Sequence, residues 1–355
     1  MSARNFQRYL LSVQYNGKLF SGCSGHPSTK GKNPSILPSV QEVIETALEK
    51  FVTKSNFRDF QFSSRTDAGV HAFGNTFHVD IENRRRNTKE QMPPHRSLIV
   101  QRALNAYLAP KNIGITSVSQ VPSTFHSRFD ANNRTYMYRI LVMPHKNPSW
   151  RNCLFEQDKS YILAPPKSSI LNIDAMRAAA VPLLGNHDFT SFRNSGCQAN
   201  SAVKTLDVLN IDERCWTALS PLPNDDMNAA TSFDYFHGSS LGINAHVPGS
   251  SGNLEVGYGN REGEVVDNCF DNSNSGRIGA QEILITVRAK SFLYNQVRNI
   301  VGFLIDIGED PGMNEIDAER KAIELLKKMD RNEAPKKVPA KGLYLMQVGY
   351  SDHII

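Results

Sequence analysis

The densest polar cluster in the chain is Ser63-Ser64-Arg65-Thr66-Asp67-Ala68-Gly69-Val70-His71-Ala72. It sets a carboxylate two residues from a guanidinium and follows them with a small Ala68-Gly69 step that admits close approach of a ligand. The chemistry within reach is that of a carboxylate acting as base or nucleophile. By composition alone, an Arg-x-Asp pair in a loop is more often a structural ion pair or an Asx turn, so both readings stay open at this point. Ten histidines raise the question of a metal. No His-Glu-x-x-His and no paired Cys/His spacing occurs, so no metal site is expected. Gly257-Tyr258-Gly259 lacks a third spaced glycine and follows no clear strand, which argues against a nucleotide-phosphate loop.

The cluster sits between strand-like segments. Tyr9 to Tyr15 alternates and stops at Asn16-Gly17. Ser39-Val40-Gln41-Glu42 forms a capping box, and Val40, Val43, Ile44, Ala47, Leu48 and Phe51 follow at helical spacing. Strands are predicted over 59–63 and 76–81, with 64–74 between them as a turn-like connection. A helix over 96–108 and a strand over 113–121 complete a first half, residues 1–122. A second half, 123–355, has strands over 134–142, 203–211, 282–289 and 343–350. Its helices are predicted over 173–184, broken by Pro182, along the stripe Leu293, Val297, Ile300, Val301 and Leu304, and over 315–329. Helices are too few to separate every strand pair, so the pattern favours an α+β fold with a layered sheet.

Residues 211–280 differ from the rest: 9 of the 23 glycines, 8 asparagines, 8 serines and no lysine, the composition of a flexible surface insertion at about 212–280. That stretch has ten acids and three bases, a balance of −7, so the +5 of all 355 residues leaves +12 for the remainder. A body of that charge suits a phosphate backbone as partner. No apolar run approaches the roughly 18 residues that cross a bilayer, and five cysteines, odd in number and without Cys-x-x-Cys, fit a reducing compartment. No secretory signal is expected, and a mitochondrial presequence would have to overlap the first strand.

Arg65-Thr66-Asp67-Ala68-Gly69-Val70-His71-Ala72 resembles the catalytic signature of the tRNA pseudouridine synthase A family. Further matches fall in the same order: Phe125-His126-Ser127-Arg128-Phe129, Arg134-Thr135-Tyr136-Met137-Tyr138-Arg139 and Asp188-Phe189-Thr190-Ser191-Phe192-Arg193. They continue with Ser291-Phe292-Leu293-Tyr294, Val297-Arg298-Asn299-Ile300-Val301-Gly302 and Pro339-Ala340-Lys341-Gly342-Leu343-Tyr344-Leu345. Ala68 is similar to the bacterial type, whereas Ser64 and Ser291 to Tyr294 look most like an animal branch. The resemblance implies the pseudouridine synthase fold, two α/β halves whose mixed, mainly antiparallel sheets join at a central basic cleft. It implies isomerisation of uridine in the tRNA anticodon stem-loop with no cofactor. Asp67 would be the catalytic carboxylate, Tyr136 the active-site tyrosine and Arg298 the arginine that pairs with Asp67. Arg65 would enter the RNA as the uridine swings out, and Leu343 would line the uracil pocket. His126, Arg128 and Arg193 are candidate phosphate or sugar contacts.

The implied partner is tRNA, not a membrane, with the chain as a homodimer or a monomer. The compartment is mitochondrial, cytoplasmic or nuclear. Other readings are a different tRNA position, messenger RNA, a non-catalytic RNA binder, or a hydrolytic nucleosidase. Most relatives carry Asp-Gly and Gly-Trp-Gln near the first turn, where this chain has Asn16-Gly17 and Gly22-Cys23-Ser24. Those positions are expected to lie away from the signature.

Overall fold

The computed structural model describes residues 4–24, 37–84, 90–143, 156–163, 171–217 and 279–351. The described residues of 4–214 and 280–351 make one compact unit. Along the chain, β1 (Gln7–Tyr15) leads to α1 (Val40–Val52), β2 (Phe57–Phe62) and β3 (His71–Ile81), then α2 (Ser97–Leu108) and β4 (Ile113–Val121). After these come β5 (Asn133–Val142), β6 (Tyr161–Leu163), α3 (Ile173–Ala180), β7 (Gly185–Asp188) and β8 (Val203–Thr217). The last elements are β9 (Gly279–Ala289), α4 (Gln296–Gly308), α5 (Glu315–Lys328) and β10 (Leu343–Gly349).

The strands form one 10-stranded sheet in the order β4-β1-β3-β10-β5-β9-β8-β7, with β2 also on β3 and β6 on β5. It is mixed and mainly antiparallel, as expected: β3 with β10 and β5 with β6 run parallel, while β1 with β3 and β4, β2 with β3, β5 with β9 and β10, and β7 with β8 are antiparallel. The last strand, β10, lies between β3 and β5 and so links strands made early and late in the chain.

Side-chain alternation decides where the apolar mass goes. Tyr9, Leu11 and Val13 of β1 join a cluster with Ile44 and Leu48 of α1 and Leu104 and Leu108 of α2. Leu10, on the opposite face, meets Val121 and Phe125 instead. A second large cluster packs Tyr138, Ile140, Ile283, Ile285 and Val287 of β5 and β9 against Ile300, Val301 and Leu304 of α4. Tyr136 packs against both large clusters. The capping box closes in both directions: Ser39 Oγ accepts from Glu42 N at 3.2 Å and Ser39 N donates to Glu42 Oε2 at 2.8 Å.

Several boundaries differ from expectation. β3 starts at His71, not 76, because Tyr344 and Leu345 of β10 pair in parallel with His71 and Ala72, a partner that no local pattern reveals. The connection before it is therefore only 63–70. β6 and β7, of 3 and 4 residues, are too short to show a period. The helix at 173 ends at Ala180, and Pro182 sits in a 3-10 turn over Val181–Leu183. α4 begins at Gln296, after Asn295 in the left-handed region at φ 60°, so Leu293 belongs to the approach and not to the helix. β8 extends to Thr217 and β9 begins at Gly279, inside the segment read as an insertion. The remainder of that segment, 218–278, lies outside the described residues.

Candidate active site

The loop that carries Asp67 is braced by the strands on either side. Asn75 of β3, fully buried, accepts from Ser63 Oγ at 3.1 Å and donates to Ser64 O and to the Tyr15 hydroxyl, each at 3.2 Å. The Tyr15 hydroxyl also hydrogen-bonds Thr66 Oγ1 at 2.8 Å. Burial lifts the Tyr15 pKa well above its ordinary value, so it stays a neutral phenol. Beyond the carboxylate, Val70 N donates to Asp67 O at 3.1 Å, closing a turn in which Gly69 takes φ 81°. That conformation suits glycine because it lacks a Cβ.

The first turn of the chain is part of this scaffold, contrary to expectation. Gly22 forms a β-bridge with Asp67, and Cys23 N donates to Thr66 O at 3.0 Å. Gly17 N donates to His71 Nδ1 at 3.2 Å, and a Cβ on Gly17 would fall 2.0 Å from the Val70 carbonyl oxygen. Gly17, Gly22 and Cys23 therefore touch the signature that this turn was expected to avoid. Distance along the chain misled because the loop folds back onto the end of β1. The Cys23 thiol, buried against Ser64 O, has its pKa pushed up to about 12, so it is no nucleophile at neutral pH.

Arg298 comes from the first turn of α4. Its Nε donates to Val338 O at 2.7 Å and its Nη1 to Asn295 Oδ1 at 3.2 Å, which aims Nη1 to within 3.8 Å of Asp67 Oδ2. The guanidinium is 11% exposed and the carboxylate 37%. At 3.8 Å the pair interacts through charge and not through a hydrogen bond. Burial raises the Asp67 pKa above the ordinary carboxylate value, while the charges of Arg298 and Lys337 pull it back.

Tyr136 lies in β5 opposite Leu345 of β10 and Val287 of β9. Its ring meets Phe292 edge to face, centroids 5.3 Å apart at 87°. Burial raises its pKa, the Arg134 charge lowers it, and the Asp67 charge raises it, so the hydroxyl remains protonated and lies within the field of both groups. Leu343, 6% exposed, stands opposite Tyr138 and belongs to the cluster under β5.

The other expected residues lie further out. Arg65 and Arg128 are exposed. Arg193 donates to Cys197 O at 3.2 Å, and the following residue, Asn194, accepts from Asn299 of α4 at 2.8 Å. His126 accepts from Arg128 N through Nδ1 at 3.2 Å. No contact in the described residues joins Arg193 to Asp67. Nor do they contain a group of three His, Cys, Asp or Glu placed to hold a metal ion.

Arg134 is the residue that sequence reasoning passed over. It is 8% exposed, and its five N–H groups reach five acceptors. Nε donates to Ser64 Oγ at 3.3 Å, Nη1 to Ala131 O and Lys290 O at 3.3 and 2.7 Å, and Nη2 to Ser63 O and Arg128 O at 3.1 and 2.9 Å. One guanidinium thus ties the root of the Asp67 loop to the His126–Asp130 loop and to the end of β9. The available signal was a charged residue at the start of an apolar strand, two positions before Tyr136.

Comparison with known proteins agrees with this architecture. A family profile described as tRNA pseudouridine synthase matches residues 179–351. A tRNA pseudouridine synthase A of Caulobacter vibrioides is 31% identical over 345 residues, covering 97% of this chain and 99% of the relative. Those of Paracoccus denitrificans and Buchnera aphidicola are 31% identical over 350 residues and 29% over 353, covering 97% and 99% of this chain and 96% and 95% of the relatives. With similarity running through both the braced carboxylate loop and the strands and helix that surround it, the chain belongs to the tRNA pseudouridine synthase A family.

Proposed function

We propose that the chain isomerises uridine to pseudouridine in tRNA, at the anticodon stem-loop. The observation that carries this is the Asp67 carboxylate, held in a loop braced at Ser63, Ser64 and Thr66 and faced by the buried Arg298 guanidinium at 3.8 Å. The reaction breaks the bond from N1 of uracil to C1′ of the ribose, turns the base, joins C5 to C1′ and releases the C5 proton while N1 takes one up. Asp67 serves it as nucleophile or as the base that removes a sugar proton. Tyr136 stacks against the uracil and offers a protonated hydroxyl, and Leu343 forms an apolar wall. Arg298 favours the ionised carboxylate against the burial that opposes it.

In this reading the halves 1–122 and 123–355 share the site across a basic cleft, the first giving Arg65 and Asp67, the second Tyr136, Arg298 and Leu343. Arg65, exposed on the loop, occupies the gap left by the extruded uridine, a step that costs a few kcal/mol of stacking and pairing. His126, Arg128 and Arg193 contact phosphate or sugar, and the +12 outside residues 211–280 makes binding weaken as salt rises. Ser64 and Ser291 to Tyr294 support placement in an animal branch of the family.

The test is tritium release from C5-labelled uridine in an anticodon stem-loop. Wild-type protein releases tritium without free uracil, while Asp67→Asn and Asp67→Ala proteins of unchanged fold release none. Wild-type rates in either variant would remove Asp67 from the chemistry, and free uracil as product would indicate a hydrolase.

A further inference from the structure

Phe129 is 72% exposed, although the backbone on both sides of it is fixed. Ser127, fully buried, donates its N–H to His78 Nδ1 at 3.1 Å and its hydroxyl to Gln61 O at 2.7 Å, and its carbonyl accepts from the Tyr350 hydroxyl at 2.8 Å. Arg128 O accepts from Arg134. Phe129 N and Asp130 N both donate to His126 O, at 3.2 and 3.0 Å, and Asp130 Oδ2 accepts from His126 N at 2.7 Å. The loop is therefore preorganised, and what it presents to solvent is an aromatic face. One side of the ring rests on the His126 imidazole, centroids 4.3 Å apart at 35°, and the Arg128 guanidinium lies 5.8 Å from its centroid.

A rigid, exposed ring beside an exposed guanidinium is the pairing that receives an unpaired base and its phosphate. We infer that Phe129 is a stacking platform for an unpaired nucleobase of the RNA substrate, with Arg128 on the adjoining phosphate. The inference rests on the RNA-modifying function proposed above and adds a selection rule to it. Arg134 holds both Arg128 O and the Ser63 and Ser64 positions at the root of the Asp67 loop. The platform therefore stands at a set distance from the carboxylate, and RNAs with an unpaired base at the matching separation from the target uridine are favoured. Charge complementarity favours RNA as the occupant over a protein surface, since the ring stands beside His126 and Arg128 in the part of the chain that carries +12.

The experiment uses full-length chain and anticodon stem-loops that carry 2-aminopurine at one unpaired position at a time. Binding of wild-type protein quenches the probe at the stacked position. Phe129→Leu and Phe129→Ala abolish that quenching and raise KM about tenfold, with the loss in KM and not in kcat, whereas Phe129→Tyr keeps the quenching. Quenching and KM unchanged in Phe129→Leu, with normal tritium release by the wild type, would overturn the platform and leave the proposed function standing. A changed sedimentation coefficient with KM unmoved would overturn it in favour of a protein contact. Failure of the wild type to bind or turn over any stem-loop would remove the proposed function itself, and the platform with it.

Discussion

Arg298→Met removes the charge that faces Asp67 while leaving an unbranched side chain against α4. At 3.8 Å a pair of unit charges in surroundings of effective permittivity near 20 interacts by about 4 kcal/mol. Because the carboxylate is 37% exposed, water screens a large part of this, and about 1–2 kcal/mol is the expected net effect. Burial already holds the Asp67 pKa above its ordinary value, and Arg298 is the largest influence pulling it down. Removing Arg298 therefore raises it further, and a larger fraction of the carboxylate is protonated at any acidic pH. If the chemistry needs the ionised carboxylate, the acid limb of single-turnover tritium release moves up by about one pH unit, and part of the lost rate returns as pH rises. Arg298→Lys keeps the charge but not the bonds to Val338 O and Asn295 Oδ1, so its acid limb stays near that of the wild type even where its rate is lower. The reasoning fails if Arg298→Met loses the same factor at every pH with its acid limb unmoved. Arg298 would then act by contact or placement alone.

Arg134→Met should cost about 3–5 kcal/mol, since four carbonyls and a hydroxyl lose a buried charged donor, and the melting temperature should fall by roughly 10 °C. Arg134→Lys, with three N–H groups for five acceptors, should fall between; a change within about 2 °C for Arg134→Met would show that the hub is not holding the loops. His78 predicts a pH dependence of stability. Burial, with the nearby Arg8 charge, lowers its pKa to about 4, and its Nδ1 accepts from Ser127 N. The folded state therefore resists protonation, so the stabilisation from neutral His78 is full above pH ~6.5 and lost as pH falls from there towards 4, up to about 3 kcal/mol. Burial lowers His71 and His95 too, so the measurement is the difference in urea stability between pH 7 and pH 4 for parent and for His78→Asn. Equal differences would refute the assignment.

Where an element's cause lies within a few residues, the sequence shows it. The Ser39–Glu42 box and the alternation of β1 place those elements to within two residues, and the helix read over 96–108 is found at Ser97–Leu108. Where the cause is a distant partner, it does not. The first five residues of β3 are strand in part because β10 lies beside them, and no property of His71 to Asn75 announces a neighbour at Tyr344. The site divides in the same way. Asp67 was visible as a carboxylate among small and polar residues, and its pairing with Arg298 came only through family resemblance. Arg134 passed as a strand residue because hydrogen bonding to carbonyls, unlike pairing with an acid, leaves no complementary charge to find. The packing of Gly17 and Gly22 against the Asp67 loop was missed because a turn was judged by its place along the chain and not by where it folds back.

The position of β10 also sets an order of events during synthesis. β3 leaves the ribosome more than 260 residues before the strand that fills the gap between it and β5, roughly 15–50 s at ordinary elongation rates. Until then His71 and Ala72 lack their parallel partners, Arg298 lacks the Val338 carbonyl that aims it, and Gly69 lacks Ala340 beside it. A nascent chain therefore carries Asp67 in a loop braced by Tyr15, Cys23 and Asn75 but with no aimed guanidinium opposite it. RNA-modifying competence arrives only when the final strand docks, so incomplete translation products carry the signature without a working site.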